Sequence, residues 1–189
     1  MAAPRLILAS GSPQRRAILA QLGVPFEVRV SDVAELEQGP PHEVALENAY
    51  RKAAAVAANV SPADPPVLGV DTVVSLGARL YGKPRDAGHA AEMIDQLAGR
   101  RHLVISGVCL IESGRASTAA ADTVVEFREL DPPAVKRYVA TGEWRGRAGG
   151  YAIQGRGAAL VRRIEGDYCN VVGLPVPTLL DLTATMFAI

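Results

Sequence analysis

The loop Ser10-Gly11-Ser12-Pro13-Gln14-Arg15-Arg16 follows the apolar run Leu6-Ile7-Leu8-Ala9 and opens a helix-like stretch. A helix N-terminus offers backbone N–H groups without partners and a partial positive charge, which together attract anions. Gly11 permits close backbone approach, Ser10 and Ser12 add hydroxyl donors, and Arg15 and Arg16 add guanidinium forks suited to phosphate oxygens. The same residues also read as a plain capped helix with two surface arginines, so spacing alone leaves both readings open.

Asp71 is the second candidate. It stands among Leu68, Val70, Val73 and Val74, where a carboxylate is costly unless paired, hydrogen-bonded or metal-bound. Asp122-Thr123-Val124-Val125 repeats the letters of Asp71-Thr72-Val73-Val74 and supplies an internal comparison. In that second stretch Thr123, Val125 and Phe127 share one face, while Asp122, Glu126 and Arg128 share the other. A half-exposed strand tolerates an aspartate easily, so chemistry is assigned to Asp71 and structure to Asp122.

Gly77 to Lys83 matches the first positions of a phosphate-binding P-loop, but Pro84 stands where a Ser or Thr should hold Mg²⁺. The segment reads better as a hairpin turn that delivers Lys83 near the end of the Asp71 strand. A magnesium ion asks for one or two carboxylates with water and substrate phosphates. Glu35, Glu37, Glu43 and Glu47 are the carboxylates on offer beside Asp71, and spacing does not choose among them. Lys52 sits in an Ala- and Val-rich helix, where a salt-bridged surface lysine is the ordinary reading. In the flexible stretch Gly149–Gly155, Gln154 has an amide that suits a base edge and Tyr151 a ring that suits packing on a ligand. His42, His89 and His102 fall at element ends and read as surface residues.

These residues need a scaffold. Leu6–Ala9 reads as a buried strand, Pro13 as the first turn of a helix ending at Gly23, and Phe26, Val28 and Val30 as a second strand. A long helix is expected over Glu43–Val60, a strand over Val67–Leu76, and a helix capped by Asp86 and running to Leu97. Strands follow over Leu103–Ile111 and Thr118–Arg128. A helix opens at Asp131, another strand spans Ala158–Ile164, and a closing helix begins at Thr178. Helices and strands alternate early and strands dominate the middle, which indicates an α/β or α+β chain with a mixed sheet.

The 189 residues suffice for one large domain, or two lobes sharing a cleft. Lys plus Arg equals Asp plus Glu, at 20 each, which argues against a duplex nucleic-acid binder. Cys109 and Cys169 form no C-x-x-C pair, so neither a cysteine metal site nor a disulfide framework is expected. The N-terminus does not resemble a signal peptide and no apolar stretch is long enough to span a bilayer, so a reduced, cytoplasmic setting is expected.

Together the motifs resemble the Maf family of nucleotide pyrophosphatases. The resemblance runs from Leu6 to about Pro175. It rests on Ala-Ser-Gly-Ser-Pro-x-Arg-Arg at 9–16, Asp71-Thr72-Val73-Val74, Gly82-Lys83-Pro84, Tyr151-Ala152-Ile153-Gln154-Gly155 and Asn170-Val171-Val172-Gly173-Leu174-Pro175. It implies an elongated α/β fold with a mixed twisted sheet, flanking helices and a central cleft between two lobes of a single domain, usually as a homodimer. It further implies Mg²⁺- or Mn²⁺-dependent hydrolysis between the α- and β-phosphates of a nucleoside triphosphate. By resemblance, Asp71 is the proton acceptor, Asp71 and Glu35 are metal ligands, and Ser10, Ser12, Arg15, Arg16, Lys52 and Lys83 hold phosphates. Tyr151 is expected beside the base, and Gln14, Thr72 and Gln154 occupy the positions at which branches of the family differ. Thr72 and Gln154 resemble the dTTP/UTP branch, while Gln14 replaces its usual arginine. Glu143-Trp144-Arg145-Gly146-Arg147-Ala148 departs from the family's Glu-Pro-x-Asp-Lys-Ala, keeping a positive charge at Arg147 and losing a carboxylate at Gly146. A nucleotide-binding regulator of cell division with little turnover is the rival reading.

Overall fold

A computed structural model describes residues 5–183. Strand β1 (Leu6–Leu8) ends in the loop that starts α1 (Pro13–Gln21). Ser12 caps that helix by accepting from the Arg15 N–H, and Pro13 takes the first position, where a missing N–H costs nothing. Strand β2 covers Phe26–Val28 only, so Val30 lies beyond it. Helix α2 (Pro41–Ala57) starts earlier than expected, because prolines suit its first turn, and it also ends short of the expected Val60.

Strand β3 (Val67–Leu76) matches its expected bounds. It turns at Gly77, whose φ is +59°, into β4 (Arg79–Tyr81). Asp86 caps α3 (Ala87–Leu97) by accepting from the His89 N–H at 2.8 Å. The long strands β5 (Arg101–Glu112) and β6 (Arg115–Phe127) are joined by a tight turn at Ser113 and Gly114, both with positive φ. Asp131 caps α4 (Pro132–Ala140) by accepting from the Ala134 N–H at 2.7 Å.

The strand expected over Ala158–Ile164 starts later. Arg156–Leu160 forms a 3₁₀ turn, and β7 occupies Val161–Glu165. A short helix, α5 (Tyr168–Val172), then follows, capped by Asp167; its single turn is too brief to show a period in the sequence. Helix α6 spans Val176–Leu182, and the remainder of the expected closing helix lies outside the described residues.

Seven strands form one mixed sheet in the order β2-β1-β3-β5-β6-β7, with β4 also on β3. Strand β1 runs parallel to β3 at Val67 and Leu68, and β4 runs antiparallel to it at Val74–Leu76. Both lie on the edge of β3 away from β5, so Gly69–Val73 have no strand alongside them there. The sheet is split at Asp71.

The core gathers on either side of the split. Leu6, Leu8, Leu19, Leu68 and Leu179 belong to one cluster, and Ile7, Ala49, Ala53 and Val67 to a neighbouring one. Val74, Ile94, Val104, Phe127 and Trp144 belong to the cluster beyond the split. Helix α2 lies very close to the sheet. Its Ala45, Ala49 and Ala53 form a stripe at helical spacing, and Gly69 and Gly107 lie beneath it. A Cβ on Gly69 would run into the Ala49 carbonyl, and one on Gly107 into the Ala45 carbonyl. Among the described residues no helix is long and apolar enough to cross a membrane.

Candidate functional site

The split opens into a cleft of about 430 Å³. Its walls come from the β1–α1 loop, the N-terminal end of α1, the middle of β3, the segment 145–154 and the C-terminal end of α5. A cleft at the carboxyl end of a parallel strand, beside a helix N-terminus, is where open α/β sheets commonly bind ligands.

The close approach of α2 sets the chemistry at Asp71. Gly107 pairs with Asp71 across β3 and β5, and with no side chain there α2 can settle against the strand. Asn48 and Lys52, one helical turn apart, then meet the carboxylate together. Lys52 Nζ donates to Asp71 Oδ1 at 2.6 Å, and Asn48 Nδ2 donates to Asp71 Oδ2 at 3.0 Å. Lys52 also pairs with Glu35 Oε1 at 2.8 Å, and Lys83 Nζ lies 3.8 Å from Glu35 Oε2. The result is a charge relay in space, Asp71–Lys52–Glu35–Lys83. Lys52 is 8% exposed, so the ordinary surface reading of that lysine does not hold. Asn48 additionally clamps the loop that bears Glu35: its side chain accepts from the Leu36 N–H at 2.7 Å and donates to the Leu36 carbonyl at 3.0 Å.

The other wall is organised by Arg15. Its Nε donates to the Gly173 carbonyl at 2.9 Å, one terminal nitrogen to Ser10 Oγ at 2.9 Å and the other to Thr72 Oγ1 at 3.2 Å. Thr72 is in turn 2.8 Å from Ser106 Oγ on β5. Burial lowers the Arg15 pKa from its ordinary value, and the charges of Asp71 and Glu35 oppose that shift. Ser12 Oγ donates to the Gln14 side-chain carbonyl at 3.1 Å, which orients the Gln14 amide in the cleft wall.

Most of the expected residues converge. Ser10, Ser12, Gln14, Arg15, Glu35, Lys52, Asp71, Thr72, Lys83, Tyr151 and Gln154 all line the cleft. Arg16 does not. It follows Arg15 by about 100° around α1 and is exposed to solvent, so the phosphate role read from the sequence is not supported by its position. Lys83 lies beside the middle of β3 rather than near its end, because β4 carries the chain back toward Thr72. Glu47 pairs with Arg51 at 2.7 Å, away from Asp71.

The reading of His102 as a surface residue is also corrected. It is 2% exposed, and its Nε2 meets the Tyr151 hydroxyl at 2.9 Å beneath Phe127. Burial drives the His102 pKa down from 6.5 to about 4. Tyr151 is thus fixed from behind and reaches the cleft as part of its wall. His42 and His89 meet the surface expectation more closely: His42 pairs with exposed Asp122 at 2.9 Å.

Sequence reasoning did not identify Asn48, Val30 or Arg147 as site residues. Asn48 had a usable signal, a buried-face polar residue one turn before Lys52. Val30 is 67% exposed at the cleft mouth. The cleft collects five cations, Arg15, Lys52, Lys83, Arg145 and Arg147, against two carboxylates, Glu35 and Asp71. In an adjoining cavity, on the β4 side, carboxylates outnumber lysines and arginines. The anionic end of a ligand therefore belongs in the first cleft. Glu35 and Asp71 both reach the Lys52 ammonium, so their hard oxygen donors converge. That pair fits a magnesium-class ion completed by water and phosphate oxygens. Among the described residues no group of three or more His, Cys, Asp or Glu side chains forms a metal cage.

Comparison with known proteins supplies the family. The family described as Maf-like protein matches residues 5–186. The dTTP/UTP pyrophosphatase of Gloeobacter violaceus is 46% identical over 182 residues, covering 95% of this chain and 95% of that protein. The dTTP/UTP pyrophosphatase of Deinococcus radiodurans is 46% identical over 181 residues, covering 95% of this chain and 92% of that protein. That of Pyrococcus furiosus is 42% identical over 182 residues, covering 94% of this chain and 93% of that protein. Among solved structures, a HAM1 protein from Coxiella burnetii aligns with a TM-score of 0.44 and 14% identity, over 66% of this chain and 73% of that one. The matched span takes in β1 through α6 and every cleft residue named above: this chain belongs to the Maf-like protein family.

Proposed function

We propose that this protein hydrolyses nucleoside triphosphates between the α- and β-phosphates, releasing a nucleoside monophosphate and pyrophosphate, with UTP and dTTP as preferred substrates. The observation that carries this reading is the buried Asp71 at the split in the sheet, inside a cleft whose cations outnumber its carboxylates. The names of the relatives supply the substrate class.

In this mechanism the α-phosphorus sits beside Asp71, which accepts a proton from the attacking water. Asn48 and Lys52 fix the carboxylate in place, each through one oxygen. Lys52, Lys83 and Arg15 offset the charge that builds on the leaving pyrophosphate. A Mg²⁺ or Mn²⁺ ion, held by Asp71 and Glu35, would supply further charge neutralisation at the phosphates. Thr72, Gln14 and Gln154 line the same cleft, and in this reading they choose the base. The reading includes a homodimer in the cytoplasm, and light scattering checks the dimer.

The test is pyrophosphate release across a panel of canonical and modified nucleotides, with Mg²⁺, with Mn²⁺ and with chelator. Release from UTP and dTTP that stops on chelation is the expected result. Tight triphosphate binding without release would favour the cell-division regulator instead. Higher kcat/KM on modified uridine nucleotides than on UTP would move the substrate to that class.

A further inference from the structure

Lys52 and a divalent ion compete for the same oxygens. The Lys52 ammonium lies between the two carboxylates of the cleft, 2.6 Å from Asp71 Oδ1 and 2.8 Å from Glu35 Oε1. Asp71 turns its other oxygen, Oδ2, toward Asn48 in a buried hydrogen bond, so Oδ1 is the oxygen left for a cation. An ion held jointly by Asp71 and Glu35 would share these oxygens with the ammonium. Two cations on one oxygen repel, and the more so where water is scarce. Asp71 and Lys52 are both nearly buried.

Lys52 also needs somewhere to go. A buried ammonium stripped of its carboxylates is costly unless another anion receives it. Among the described residues that line the cleft, Asp71 and Glu35 are the carboxylates, so the protein offers no third. A phosphate oxygen in the cleft would. The lysine stem is flexible and its ammonium carries three rotatable donors. It can therefore turn to a new anion while α2 stays seated on Gly69 through Ala49 and Ala53.

We propose that Lys52 closes the carboxylate pair to divalent ions until a triphosphate arrives, then passes its ammonium from Asp71 and Glu35 to a phosphate oxygen, so that metal and nucleotide bind as a coupled pair. The Asn48 bond, which no cation contests, keeps Asp71 in place through the exchange. By linkage, the metal then tightens the nucleotide by the same factor as the nucleotide tightens the metal. The inference rests on the reading in which Asp71 and Glu35 take the divalent ion. Lys83 supplies a control: its exposed ammonium lies 3.8 Å from Glu35 Oε2, near the same carboxylate but outside the gap.

The experiment measures Mn²⁺ binding without nucleotide, from the electron paramagnetic resonance signal of free Mn²⁺, in the wild type, Lys52→Met and Lys83→Met. Lys52→Met keeps the stem and loses the ammonium, and it should bind Mn²⁺ about tenfold more tightly than the wild type. Lys83→Met, which removes an exposed charge, should gain about twofold. In complex with a UTP analogue carrying a methylene between the α- and β-phosphorus, the wild type should bind Mn²⁺ more tightly than it does alone, and Lys52→Met should differ from it much less. Equal Mn²⁺ affinity of wild type and Lys52→Met without nucleotide overturns the proposal, because the lysine then shares the carboxylates with the metal. An equal gain in the two lysine variants, or no Mn²⁺ binding by Lys52→Met, overturns it as well. Lys52→Gln, which keeps a donor without the charge, takes the place of Lys52→Met if that variant does not fold. These constants need no turnover. A wild type that hydrolyses no triphosphate would sink the pyrophosphatase reading, and Mn²⁺ binding would still decide this one.

Discussion

Asp71 owes its character to two neighbours one helical turn apart, Asn48 and Lys52, each bonded to a different carboxylate oxygen. Asp71→Asn keeps the size and most of the hydrogen bonding of the site but removes the proton acceptor. Turnover should fall by about 10²–10⁴-fold, with a melting temperature close to that of the parent. Pyrophosphate release near the wild-type rate would sink the assignment. Asp71 was legible in the sequence because a carboxylate among valines and leucines is physically conspicuous. Lys52 was reached only through the family resemblance, and its own spacing read as a surface lysine, because its burial depends on how near α2 lies to the sheet, which no local pattern reports. His102 was misread for the same reason: its burial comes from Tyr151 and Phe127, far along the chain. It also gives stability a pH dependence. Its pKa is about 4 folded against 6.5 unfolded, so the unfolded chain binds the proton more readily between those values. Stability is full above pH 6.5 and falls as pH drops toward 4, by about 3 kcal/mol in all. Denaturant titrations at several pH values should show that slope, and His102→Gln should flatten it.

Among the elements, α2 and β5 form the critical pair. The alanine stripe of α2 meets Gly69 and Gly107, and that contact brings Asn48 and Lys52 to the carboxylate. A methyl group at Gly107 has backbone, not a flexible side chain, in its way, so α2 must move. Gly107→Ala should destabilise the protein by about 2 kcal/mol. Because the displaced helix carries the Asp71 partners, kcat/KM should fall as well, and an unchanged kcat/KM would show that the close approach is not what sets the site. The boundaries that sequence placed well have local causes: aspartate caps begin α3 and α4, and turn glycines close β3. The 3₁₀ turn at Arg156–Leu160 and the single turn of α5 escaped because neither is long enough to carry a period. The split in the sheet was illegible too, since β1 and β4 share one edge of β3 only through tertiary pairing.

At the scale of the whole molecule, the cleft divides side chains but not strands. Strand β3 places Leu68 and Val70 in the core beside β1 and Val74 in the core beyond the split; β5 does the same with Val108 and Val104. Neither side of the cleft owns a complete sheet, so neither can melt while the other stays intact. Heating should therefore give a single calorimetric transition whose van't Hoff and calorimetric enthalpies agree. Two resolved transitions would mean that the sides fold separately. The same sharing means that a cut placed in β3 near Asp71 would leave two fragments that must reassociate to recover either core, making this protein suited to reconstitution from split halves.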